Sequence, residues 1–155
     1  MILYGNFVLT YLPSSSIKRG IRLLNGRKQV LVQDDISAAP AEIQWRMHTN
    51  ATVTLSGTTA SLALDGKTMQ VSILNPPAGA AFETFDAVRY SDDPALPDGE
   101  TDQANPGVTV LAITLPAGSY NLQVLFNPQW PGMDVTAFKT PPFVATDGWS
   151  LTSHQ

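Results

Sequence analysis

Apolar and polar positions alternate with a period of two along most of this chain. In 42–48, Ile43, Trp45 and Met47 share one face and Gln44, Arg46 and His48 take the other. In 119–126, Tyr120, Leu122, Val124 and Phe126 point one way, and Asn121 and Gln123 the other. Val71 with Ile73, and Leu62 with Leu64, follow the same scheme. The run Thr109–Leu115 is apolar at nearly every position, as in a central strand covered on both faces. No apolar stripe of helical period persists for three turns. Strands are therefore predicted over 6–12, 17–24, 28–34, 42–48, 52–55, 59–64, 68–74, 82–88, 108–115 and 119–126.

The breaks carry turn chemistry: Pro13-Ser14-Ser15, Asn25-Gly26, Ser56-Gly57, Asp65-Gly66, Pro76-Pro77 and Pro116-Ala117-Gly118. Asn25-Gly26 predicts a two-residue type I′ hairpin, because both residues tolerate positive φ. The pattern predicts an all-β fold, an antiparallel two-sheet β-sandwich of the jelly-roll or supersandwich kind. It has about ten strands and little or no helix. The sandwich is expected over 1–130, with 131–155 a Pro-rich extension draped over it or loose. Segment 89–107 (RYSDDPALPDGETDQANPG) is acidic and too irregular to pair, and it reads as a long functional or mobile loop.

The composition agrees with one globular domain: 155 residues, 43% apolar and only 14% charged, with 12 prolines and 11 glycines. No cysteine is present, which excludes a disulfide scaffold and any thiolate metal site. The formal charge of −4 is unevenly spread. Before position 51 lie six bases (Lys18, Arg19, Arg22, Arg27, Lys28, Arg46) and three acids (Asp34, Asp35, Glu42), leaving three bases and ten acids beyond. The basic end would attract an anionic polymer, or it guards a hairpin edge against pairing. Nothing resembles a nucleic-acid motif, and no apolar stretch is long enough to span a membrane. The opening run MILYGNFVLTYL alternates like a strand and lacks the charged region and cleavage site of a signal peptide. The chain is expected to be part of a longer secreted protein.

Four runs carry a family resemblance: KRGIRLLNGRKQVLVQDDI, IQWRMHTNATVTL, MQVSILNPP and PGVTVLAITLPAGSYNLQVLFNPQW. In order and wording they resemble the C-terminal β-sandwich of heparinase II/III-like proteins, over about Phe7 to Trp130. That resemblance implies a place beside an α/α-toroid lyase domain acting on uronate-containing polysaccharides, with a structural zinc in the β region of several members. The family's catalytic and zinc-binding motifs are not in this sequence, so no catalytic or metal residue carries over.

The chemistry-bearing residues were weighed on their own. His48 with Asp34-Asp35 suggests a metal pair, but a hydrolytic zinc site takes three protein ligands, and the second histidine is His154, near the end of the chain. The alternative has Asp34 and Asp35 capping a strand at a turn, with His48 on the solvent face. Tyr90 beside Arg89 is the nearest base and carboxylate neutraliser for β-elimination, yet adjacent strand residues face opposite ways. Trp130 and Trp149 are candidates for stacking on a sugar ring, with Tyr90, Asp92 and Asp93 a second carbohydrate-binding group. Trp45, sharing a face with Ile43 and Met47, belongs to the core. Asn50-Ala51-Thr52 is a glycosylation sequon at a turn.

The function expected is a non-catalytic, lectin-like carbohydrate-binding module with no cofactor or metal. Its partner is a polysaccharide or other glycan, uronate-containing if the resemblance governs. The alternative is a structural domain bracing a lyase toroid. A homodimer covering a bare sheet edge is compatible with either.

Overall fold

The computed structural model describes residues 4–7, 15–90, 93–102 and 105–150. Ten strands occur in it: β1 Tyr4–Phe7, β2 Ser16–Leu24, β3 Gln29–Ala39, β4 Ile43–Thr49, β5 Thr52–Ser56, β6 Thr59–Leu64, β7 Lys67–Leu74, β8 Glu83–Asp86, β9 Thr109–Leu115 and β10 Gly118–Pro128. All pairings are antiparallel, giving a seven-stranded sheet ordered β1-β2-β3-β10-β7-β6-β5 and a three-stranded sheet β4-β9-β8. The fold is all-β, with only two short 3₁₀ turns, Val135–Ala137 and Thr146–Gly148, among the described residues.

Alternation assigns the faces as expected. Trp45, Leu111, Ile113, Leu115 and Phe82 meet Leu62, Val71, Ile73, Leu122 and Val124 between the sheets, all buried. Trp45 lies against Phe126 with ring centroids 6.4 Å apart. β9 is central and buried on both faces: Leu111 and Ile113 face the large sheet, while Val110 and Ala112 pack outward with Ala87 and Phe85. That outward packing exists because the loop after β8 folds back over the small sheet. Asn105 Nδ2 donates to Ala87 O at 3.0 Å, and Tyr90 lies over Arg46 on β4.

Several boundaries differ from the sequence expectation for identifiable reasons. The first strand begins at Tyr4, two residues before the predicted stretch, and pairs through Phe7; residues 8–12 of that stretch lie outside the described residues. Asn25 and Gly26 are left-handed (φ 50° and 65°), but Arg27 continues so (φ 68°), and Lys28 N donates to Leu24 O at 3.0 Å. Leu24 pairs with Gln29, so the hairpin loop holds four residues rather than two. The two-residue turn occurs instead at Asp65-Gly66, between the partners Leu64 and Lys67 (φ 50° and 71°). Asp34 and Asp35 cap no turn; they sit in mid-strand, because β3 continues to Ala39 opposite β10. The basic hairpin is not an edge over Ile17–Gly20 either, since β1 pairs there.

The described part of the C-terminal segment returns to the outer face of the large sheet. Trp130 Nε1 donates to Lys28 O at 2.8 Å. The Asp134 carboxylate then accepts from Thr136 Oγ1 and N at 2.6 and 2.9 Å, which holds it below the ordinary carboxylate range. Farther on, residues 143–149 form a strap across β10, β3 and β2. Its anchor is Asp35, whose Oδ2 accepts both Thr146 N (2.7 Å) and Thr146 Oγ1 (2.8 Å), with Thr146 fully buried. Trp149 covers Gly20, Arg22 sits 5.2 Å from its ring, and Asp147 pairs with Lys18. Gly20 leaves the room required: a Cβ there would lie 2.5 Å from Trp149 Cζ3. Between the ends of the segment, Leu24, Leu31 and Leu125 are buried although they point away from the small sheet.

Candidate functional site

Strap and sheet are joined by a chain of side-chain amides. Gln123 Nε2 on β10 donates to Gln33 Oε1 on β3 at 2.9 Å. Gln33 Nε2 donates to Val144 O (2.9 Å) and to Asp35 Oδ1 (3.0 Å), and Asn75 Nδ2 approaches Gln123 Oε1 at 3.4 Å. Gln33 and Gln123 are 1% and 4% exposed, so each bond satisfies a group that burial would otherwise penalise. Val144 O also accepts Trp149 Nε1 at 2.9 Å. Two donors thus fix the carbonyl next to Phe143. Replacing Gln33 by leucine strips partners from Gln123 and Val144. We expect a loss of about 2 kcal/mol in urea unfolding; an unchanged midpoint would mean the amide chain contributes nothing.

At the end of this chain lies an open cleft of about 420 Å³, lined by Asn75, Pro77, Ser119, Tyr120, Asn121, Gln123 and Phe143. Its volume falls within the roughly 300–1,000 Å³ typical of small-molecule sites. Each lining side chain has a reason to be there. Asn121 and Gln123 are the outward positions of β10, and Asn75 closes β7 in a left-handed conformation (φ 47°). Ser119 sits at the bulge where β10 shifts register against β3, its Oγ accepting Ala38 N at 2.9 Å. Tyr120 donates its hydroxyl to Pro116 O at 3.0 Å. Phe143, from the strap, is 44% exposed. Among the described residues, the cleft thus offers three carboxamides, two hydroxyls and two aromatic rings, with no charged side chain.

Among the described residues, none of the candidate binding, metal or catalytic residues singled out from sequence lines this cleft. Trp149 is 8% exposed, so its ring packs against Gly20 and Arg22 and is not a free stacking face. Trp130 is 38% exposed, its indole nitrogen held by the hairpin. Tyr90 is half-buried over Arg46, 4.4 Å from guanidinium carbon to ring centre, on the opposite side of the sandwich from the strap. Arg89, its sequence neighbour, instead donates to Pro94 O. Asp93 Oδ2 accepts Tyr90 N at 2.8 Å and so closes its own turn. Asp92 and His154 lie outside the described residues. His48 faces outward on β4, Asp34 faces the interior and Asp35 faces the strap, so the three do not converge. Among the described residues, no three His, Asp or Glu side chains gather as metal ligands would.

A second, smaller cavity of about 60 Å³ opens between β2 and β4. It holds a bidentate ion pair: Arg19 Nε and Nη2 donate to the two oxygens of Asp34 at 2.6 and 2.7 Å. The hydrogen bonds to Asp34 raise the guanidinium above its ordinary value despite partial desolvation. Asp34 is 2% exposed and depends on this partner.

No protein-family model matches this chain, and no curated protein matches it.

The signals that would have exposed the cleft were faint. Asn121 and Gln123 looked like solvent-side polar positions of β10. Phe143 looked like one aromatic among prolines. Only Gly20, inside an otherwise well-patterned strand, pointed to a close approach by something bulky.

Proposed function

We propose that this chain is a non-catalytic carbohydrate-binding module whose site is the cleft between β7, β10 and the strap. The observation that carries the reading is the exposed Asn121 carboxamide beside the exposed Phe143 ring, with Asn75 and the buried, already bonded Gln123 behind them. Carboxamides both donate and accept, as sugar hydroxyls do, while an aromatic face takes the C–H side of a sugar ring. The resemblance to the C-terminal region of polysaccharide lyases supports the same class of ligand.

The test is saturable binding on an array of neutral and acidic oligosaccharides. Asn121→Ala and Phe143→Ala should each weaken it about tenfold, or ~1.4 kcal/mol, while Trp130→Ala leaves it intact. Loss on Trp130→Ala alone would move the site to the hairpin end, and silence across the array would sink the reading.

The bracing alternative rests on a different observation. Seven strands face three, and the larger sheet overhangs the smaller. Ile21, Leu23, Val30 and Val32 are only half-buried on one side, and Leu55 and Leu64 are exposed on the other. Such apolar margins suit a neighbouring domain.

A further inference from the structure

We infer that the cleft selects a neutral saccharide and discriminates against uronates, an inference that rests on the carbohydrate-binding reading above. A uronate carries a carboxylate on each residue, and recognition of a carboxylate calls for a cation or a charge-assisted donor. All seven described lining residues are uncharged at neutral pH. The charged group nearest in register is itself an anion: Asp35 is the cross-strand partner of Asn121.

Four of the six cations that the sequence places before position 51 are committed elsewhere. Lys18 pairs with Asp147 and Arg19 with Asp34, Arg22 lies over Trp149, and Arg46 lies over Tyr90. These four side chains hold the strap, the interior ion pair and the loop after β8, and none of them lines the cleft. The formal charge of −4 adds long-range repulsion of a polyanion. For a neutral sugar none of this costs anything. Its hydroxyls meet the exposed Asn121 amide, whose oxygen accepts and whose nitrogen donates, with Ser119 Oγ beside it.

The experiment is a heteronuclear NMR titration of the full 155-residue chain at low salt. The probes are cellotetraose, mannotetraose and tetra-N-acetylchitotetraose on one side and tetragalacturonate and tetramannuronate on the other. Binding of at least one neutral tetramer should perturb Ser119, Asn121 and Phe143, with both uronates at least tenfold weaker. Asn121→Lys places a cation in the cleft on an exposed position, and it should raise affinity for tetragalacturonate at least tenfold over the unaltered chain. Uronates binding the unaltered cleft as well as, or better than, neutral tetramers would overturn the selectivity and leave the carbohydrate reading standing. Failure of Asn121→Lys to gain uronate affinity would likewise count against charge as the selector. No perturbation of the cleft by any tetramer at millimolar concentration would overturn the carbohydrate reading itself.

Discussion

Gly20→Val should release the strap. A Cβ at position 20 would stand 2.5, 2.9 and 2.9 Å from three carbons of the Trp149 ring, inside any real contact distance, so the ring must leave. Valine suits a strand better than glycine does, so β2 itself is not weakened by the exchange. The loss is therefore that of the docked segment: the indole burial, the Arg22 contact and the Thr146 bonds to Asp35. Burial of a tryptophan is worth about 3–5 kcal/mol on truncation. The released segment recovers backbone entropy in return, so we expect a net destabilisation of about 3 kcal/mol. Denaturant unfolding would measure it. Tryptophan emission should shift to the red, and protease should cut between 131 and 148. Trp149→Ala should cost nearly the same, and the double variant little more, because both substitutions remove one interaction. With the strap gone, Phe143 leaves the cleft, and saccharide binding should fall with it. Unchanged emission and stability in Gly20→Val would mean that Trp149 does not occupy this notch.

Arg19→Met should destabilise the sandwich by about 2–3 kcal/mol, less than the cost of stripping a fully buried ion pair because the Arg19 side chain is itself 37% exposed. Asp34 is 2% exposed and faces the space between the sheets, where water cannot replace two guanidinium hydrogen bonds. The double variant Arg19→Met with Asp34→Leu should recover most of the loss, because no charge is then left buried. A double variant as unstable as the single would show that the damage is one of packing rather than charge. The pH dependence follows from the direction of the Arg19 shift. A cation raised in the fold contributes fully below its ordinary value and loses that contribution only as the pH rises through the higher folded value. The guanidinium side of the pair should therefore cause no loss of stability between pH 7 and 11 in the wild-type chain, as a thermal series across that range would show.

Both predictions concern positions that the sequence left ambiguous. Arg19 and Asp34 read as an edge-guarding base and a strand-capping acid. Pairing placed them directly opposite each other on β2 and β3, with side chains on the interior face. Nothing in a linear pattern distinguishes a charge that faces solvent from one that enters the interior with its partner, because alternation gives the face and not the cover. Trp149 and Trp130 show the same ambiguity. Each is an aromatic among polar residues and prolines, yet one is buried in a notch left by Gly20 and the other is more than a third exposed.

By itself the sequence determined the strand content and the faces of β4, β6, β7 and β10. Period-two alternation is a local property, enforced within each strand by the pleat. It likewise marked β9 as covered on both sides, since an unbroken apolar run suits no half-exposed strand. Tertiary structure alone decided the hairpin loop width, the return of residues 143–149 and the composition of the cleft. The bonds responsible join residues far apart in the chain, 111 positions for Gln33 to Val144 and 90 for Gln33 to Gln123, and polar side chains carry no periodic signature of such partners. A glutamine on the outward face of a strand is a solvent residue until another segment of the chain covers it.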